Sequence, residues 1–188
     1  MSPVLSAIEI GRLQARQVRA LATSGYVLCV QGVTMASTAR DRLAGLREGL
    51  DGTKQTVAHV IGNWQANEAE QAVASWLAMV VPSGVRLALV SCQNDTMAAG
   101  ARRALERTAA ELKRPDLTRV PITGVDGTAA DGTREVDAGR MAATVVVPSS
   151  TGPALELLAR SLKGDAIPAT LILPVTSYPT LEEVARTA

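Results

Sequence analysis

The chain has 188 residues, 47% of them hydrophobic, and its 19 basic and 18 acidic residues leave a net charge of +1. That length holds one full α/β domain, or one domain and a fragment of another. The near balance of charge, with no basic block, argues against a surface for nucleic-acid backbones or acidic membranes. Phe is absent and only two Trp and two Tyr occur, so the core must be built from Val, Leu, Ile and Ala, and each aromatic ring is conspicuous.

In chain order, residues 10–21 carry apolar positions at 10, 13, 18 and 21, a helical stripe with Gly11 as its weak spot. Residues 26–30 (YVLCV) form a short strand ending in Gln31-Gly32, and a helix over 38–50 follows, with Gly52 as its stop. A second strand at 56–61 ends in Gly62-Asn63-Trp64 and feeds a helix over 66–80. Pro82 and Gly84 punctuate the turn into the apolar run 87–90, a strand buried on both faces.

Gln93, Asn94 and Asp95 come directly after that strand, and a long helical face runs from Met97 to Leu112 until Pro115 stops it. A fourth strand is expected at 119–123, closing on GVDG, with a short helix over 131–138. A fifth strand at 143–147 ends at Pro148 and two serines, and a helix over 152–162, capped by Ser150 or Thr151, aligns Leu155, Leu158 and Leu162. A last strand at 169–173 and a weak helix over 180–187 complete the chain. This alternation predicts an α/β fold in three layers, a parallel sheet with helices on both faces.

Cys29 and Cys92 lie in apolar strand-like runs and are expected as reduced, buried small hydrophobes rather than as a disulfide. No run reaches the ~18 apolar residues of a membrane span. The start, MSPVLSAIEIGRLQ, lacks the basic flank and apolar core of a secretory signal, so an exported parent would carry its signal outside this sequence.

Five strand ends face one edge in this scheme, and there they collect Arg42, Trp64, Asn94, Asp95, Asp126 and Ser149. A guanidinium, an amide and a carboxylate around an indole suit a small polyhydroxylated ligand: the ring takes the C–H face of a sugar, and the charged groups take paired hydroxyls. Each residue also has a plainer role. Asp126 in VDGT reads as a turn cap, Asn94 or Asp95 as a helix cap, Trp64 as a lid over a helix, and Arg42, like Arg40, as a surface charge. His59, inside the strand VAHVI, reads as a core or subunit-facing residue rather than a catalyst.

No cofactor is expected, because neither G-x-G-x-x-G nor G-x-x-x-x-G-K-[ST] occurs. The two cysteines and single histidine supply no zinc site or histidine-based triad. A glycoside-processing pair of Asp95 and Asp126 is the one enzymatic alternative the carboxylates offer.

The runs SCQNDTMAAGARRALE, ITGVDGT and AGRMAATVVVPSSTG, with QGVTMASTARDRLAGLREGL before them, resemble the ribose/galactose-type periplasmic sugar-binding proteins of ABC importers and the ligand domains of LacI-type repressors. The resemblance implies a type I periplasmic binding fold and a non-catalytic protein of the periplasm that hands a sugar to an ABC permease. A LacI-type effector domain or a receptor's sensing domain is the alternative. It matches Arg42 to the sugar-contacting arginine, Trp64 to the ring-stacking position, Asn94 to the amide of QND and Asp126 to the carboxylate of GVDGT. Where the family often has Gln near the fifth strand's end, this chain has Val147 or Ser149. Asp95 is expected to cap its helix.

The resemblance further implies that residues 1–147 form the C-terminal lobe and 148–188 a crossover helix, a returning strand and a tail, and that the first half of the N-terminal lobe is missing from this sequence. The bared Leu155, Leu158 and Leu162 would then drive self-association.

Overall fold

The computed structural model describes residues 2–4 and 6–186. Its elements are β1 (Ser2–Val4), α1 (Ala7–Leu21), β2 (Gly25–Gln31), α2 (Ser37–Leu50), β3 (Gln55–Ile61), α3 (Ala66–Val80), β4 (Leu87–Cys92), α4 (Asp95–Glu111) and β5 (Ile122–Asp126). They continue with α5 (Gly132–Asp137), β6 (Ala143–Val146), α6 (Thr151–Leu162), β7 (Thr170–Ile172), β8 (Thr176–Tyr178) and α7 (Leu181–Arg186).

Six strands form one sheet in the order β3-β2-β4-β5-β6-β8. Alternation along each strand covers both faces. Leu28, Val30, Val90 and Cys92 point to the side of α3 and α4, where they meet Val73, Leu77, Met97 and Leu105. Val27, Cys29 and Leu89 point to the opposite side and meet Val18, Leu43 and Leu46 of α1 and α2. A third cluster, Ile10 and Leu13 against Val125 and Val145, fixes α1 over β5 and β6. Both cysteines are buried and unbridged, as their apolar surroundings led us to expect.

Several sequence expectations need correction. Helix α1 begins three residues before the expected Ile10, because Ser6 caps it by accepting the Glu9 N–H at 3.3 Å. Gly11 is not a weak spot but a contact: a Cβ there would collide with the Arg42 carbonyl, so glycine lets α1 and α2 touch backbone to backbone. The fourth strand starts at Ile122 rather than Arg119, because Pro115 opens a 3₁₀ turn that uses Arg119, and Ile122 is the residue in register with Val90.

The strand expected at 169–173 exists as β7, but it pairs in parallel with β1 in a separate two-stranded sheet. The main sheet ends instead on β8, which lies antiparallel to β6, so the sheet is mixed and not wholly parallel. His59 is exposed on the edge strand β3, with Nδ1 3.3 Å from Arg47, and is not a core residue. The closing helix covers Leu181–Arg186, and residue 187 lies outside the described residues.

Candidate ligand-binding cleft

The chain runs from β2 outward to β3 and then returns to β4 on the other side of β2. Connections therefore diverge between β2 and β4, and an open α/β sheet forms a crevice at the carboxyl ends of its strands where that happens. An open cavity of about 400 Å³ occupies this place, lined by Ala36, Thr38, Arg42, Trp64, Asn94 and Asp126. Four side chains that the sequence suggested from four separate connections are thus brought together. A further depression of about 350 Å³ lies at the opposite strand ends near Arg86, Arg114 and Arg119 and contains none of them.

Arg42 sits on α2 and is only 8% exposed, unlike the exposed Arg40. Its Nη1 donates to the Gln93 carbonyl, while its buried Nε has no hydrogen-bond partner among the described residues. Burial holds the guanidinium below its ordinary pKa, and the negative charge of Asp126 opposes that shift. The guanidinium carbon lies 5.6 Å from the centroid of the Trp64 ring, within cation–π range.

Trp64 follows β3 with φ of 66°, next to Asn63 at 49°, a left-handed pair that is costly for non-glycine residues. Three contacts hold the turn: Gln65 N–H donates to the Gly62 carbonyl at 2.8 Å, Asn63 donates to Glu68 at 2.6 Å, and the indole lies flat on Gly32, where no Cβ fits. Gly32 N–H in turn donates to Oε1 of the fully buried Gln93 at 3.0 Å, and Gln93 Nε2 donates to the Ala39 carbonyl at 2.8 Å. Gln93 belongs to the site's frame, although sequence reasoning gave it no separate role.

Asn94 is both helix cap and cavity wall. Its Oδ1 accepts the Met97 N–H at 2.8 Å at the start of α4, and its Nδ2 donates to the Trp64 carbonyl at 3.3 Å. Asp95, expected to be the cap, is the first residue of α4 instead and does not line the cavity. Its carboxylate accepts the Gly127 N–H at 2.8 Å and the Thr144 hydroxyl at 2.7 Å. Only Asp126 of the two carboxylates lines the cavity, and both oxygens of Asp95 are committed to Gly127 and Thr144, which argues against the pair as an acid and base facing one glycoside.

Asp126 ends β5 with φ of 108°, and its carboxylate accepts no hydrogen bond from a described residue. Burial raises its pKa, and Arg42 pulls it back down. Ser149 does not line the cavity; it is exposed before α6, where its Oγ accepts the Thr151 N–H at 3.4 Å. Ser150 occupies the cap position of α6 without a side-chain bond. The cavity wall thus carries a guanidinium, an uncommitted carboxylate and an aromatic face, groups that suit a hydroxyl-rich occupant.

The fold recurs in solved structures. An ABC transporter periplasmic solute-binding protein from Actinobacillus succinogenes with bound D-allose matches with a TM-score of 0.81 at 18% identity, over 98% of this chain and 62% of that one. A fructose-binding periplasmic domain of a hybrid two-component system matches with a TM-score of 0.79 at 18% identity, over 100% of this chain and 61% of that one. The periplasmic binding protein of the arabinose ABC transporter from Shewanella sp. ANA-3, bound to L-arabinofuranose, gives 0.76 at 22% identity, over 100% and 63%. The chain thus spans less than two thirds of the length of these proteins. No curated protein matches it at a significant level. The model of the periplasmic binding protein domain matches residues 6–164, and the chain belongs to that family.

Proposed function

We propose that the chain is a non-catalytic binding lobe for a sugar-like solute in an ABC-type uptake system. The compartment is the periplasm, in keeping with the family. The observation that carries the reading is the convergence of Arg42, Trp64, Asn94 and Asp126 on one open cavity where the strand order reverses. Arg42 and Asp126 take vicinal hydroxyls through charge-assisted bonds, Asn94 orients the ring of Trp64, and that ring packs on the sugar's C–H face. Ser149 stands outside this set and would reach a ligand only after closure.

In this reading residues 1–147 form the binding lobe and 148–188 the crossover, and a second lobe closes over the ligand by a hinge before docking on a permease. The separate β1–β7 sheet and the exposed α6 beside it are consistent with the edge of such a lobe. Without it, α6 is free to pair with a second copy of the chain.

The test is a fluorescence titration with D-allose, fructose and L-arabinose, the ligands of similar proteins. Trp76 is buried in the core, so Trp64 is the responsive fluorophore. At least one of these sugars is expected to change the emission with a Kd of about 1 mM, and Trp64→Phe to abolish the response. Silence from all three sugars overturns the reading. Binding by the monomer at about 1 μM or tighter overturns the need for a second lobe.

A further inference from the structure

Beneath the cavity, a carboxylate that no ligand would touch is built into the fold with unusual closeness. Asp95 Oδ1 takes the Thr144 hydroxyl from β6, and Oδ2 takes the Gly127 N–H from the loop after β5. Gly124 and Gly132 flank it so closely that a Cβ on either would collide with its oxygens. One side chain at the start of α4 thereby joins the end of β5, the loop before α5, and β6.

The peptide group between Asp126 and Gly127 is the part of this cluster that reaches the cavity. Its N–H is the one held by Asp95, and its carbonyl accepts the Val147 N–H at 3.1 Å, so the peptide is fixed at both ends. Asp126 has φ of 108° and Gly127 φ of 64°. A non-glycine residue persists in that region only where its surroundings over-determine it. Releasing the N–H end would let the peptide rotate and Asp126 relax toward ordinary φ, which swings its carboxylate off the line toward Arg42.

We infer that Asp95 is a positioning residue for ligand binding: by pinning the Asp126–Gly127 peptide it aims the Asp126 carboxylate into the cleft. This rests on the reading of Asp126 as a ligand contact. The tether is strongest in the ionised form, in which both oxygens accept and the Gly127 N–H meets a full charge; a protonated carboxyl keeps one neutral acceptor for Gly127 and turns its other oxygen into a donor toward Thr144. The charged and titratable groups that face Asp95 are Asp126 at the end of β5, Asp131 before α5 and the Cys92 thiol on β4; the two carboxylates favour its protonation. Burial is the largest influence and pushes its pKa up to about 6, against the opposing Thr144 and Gly127 bonds. Acidification through that value therefore weakens the tether.

The test follows the Gly127 amide by NMR between about pH 4 and 8, with no ligand, in the whole chain. In the native protein its proton resonance is expected to titrate near the Asp95 value, moving upfield as the bond to a charged acceptor is lost. Asp95→Asn abolishes the titration because it removes the ionisable group, and in either orientation of the amide the Gly127 N–H loses its charged acceptor. Thr144→Val removes a bond that favours the ionised form and shifts the midpoint to higher pH. Should Asp95→Asn fail to fold, the Thr144→Val shift decides.

A Gly127 resonance that ignores pH, or identical midpoints in the native and Thr144→Val proteins, overturns the inference. In the second arm, Asp95→Asn weakens the best-bound of D-allose, fructose and L-arabinose about tenfold and flattens the fall of affinity below the Asp95 value; unchanged affinity overturns the positioning role. If none of these sugars binds the native protein, the proposed function fails while the Gly127 titration still tests the tether.

Discussion

Asn94 commits both ends of its amide to the protein before any ligand arrives, one to the first turn of α4 and one to the carbonyl of Trp64. Replacing it with Ala removes the cap and frees a strained turn. The expected cost is about 1 kcal/mol in urea denaturation, the usual value for a lost N-cap. Asn94→Asp keeps an oxygen for the Met97 N–H and so retains most of the stability, yet it sets a carboxylate against the Trp64 carbonyl and should lower sugar binding. Equal stability losses in the two variants would show that capping is not what Asn94 contributes. Trp64, Asn94 and Asp126 stand out in the sequence because each sits at or just past the end of an apolar run, and Arg42 because it lies early in the helix after the first such run; the sheet brings those points to one cavity. The sequence left the division of labour between Asn94 and Asp95 open. A one-residue difference in where α4 begins decides which of them caps, and that depends on Thr144 and Gly127, far along the chain. Ser149 lies outside the cavity for a related reason: β6 ends at Val146, and the chain has left the cavity before reaching it.

At the level of elements, the long amphipathic segments were readable, and of the three-residue strands only β7 was. Helix α3 spans Ala66–Val80, the same bounds that its apolar spacing implied, whereas β1 and β8 carry too few residues for any period to register. Pro174 and Pro179 also bracket β8 and hide it among turn signals. Helix α6 is the element whose packing departs furthest from its pattern. Its stripe of Leu155, Leu158 and Leu162 is regular, but these residues are 61%, 56% and 81% exposed, and only Leu157 of this helix is buried. Ile172 on nearby β7 adds another 69% exposed side chain. Exposed apolar side chains on one helix are what the proposed pairing of two copies would bury. The triple change Leu155→Gln, Leu158→Gln and Leu162→Gln should therefore abolish concentration-dependent association in sedimentation velocity. Because the side chains are exposed, each change should alter the urea midpoint of the monomer by no more than about 0.5 kcal/mol. A native chain that stays monomeric at high concentration would rule out pairing through this helix.

For the molecule as a whole, the mixed sheet with its reversal between β2 and β4 does two things: it builds a core from small aliphatic residues on both faces, and it pushes polar groups into one crowded rim. That crowding has a measurable cost in stability. Burial raises the Asp95 pKa from 3.8 to about 6 and raises that of Asp126 as well, with Arg42 opposing the latter. Between the unfolded and folded values the native state holds more protons than the unfolded chain, so stability falls as pH rises through this window and levels off above it. For Asp95 alone the difference amounts to about 3 kcal/mol. Asp116, Glu135 and Glu183 work in the other direction. Arg114, Arg140 and Thr180 hold their pKa values down, and their contribution is lost only as pH falls below the usual carboxylate range. These three are surface groups and weigh little. The urea midpoint should therefore be highest at about pH 4.5 and fall toward about pH 7, a slope that Asp95→Asn largely removes. Sugar affinity is expected to run the opposite way over the same interval, because the ionised Asp95 that burdens the fold is the form that holds Asp126 in place. If stability instead rose with pH across that interval, Asp95 would be an ordinary ion pair's carboxylate and not the strained support of the cleft.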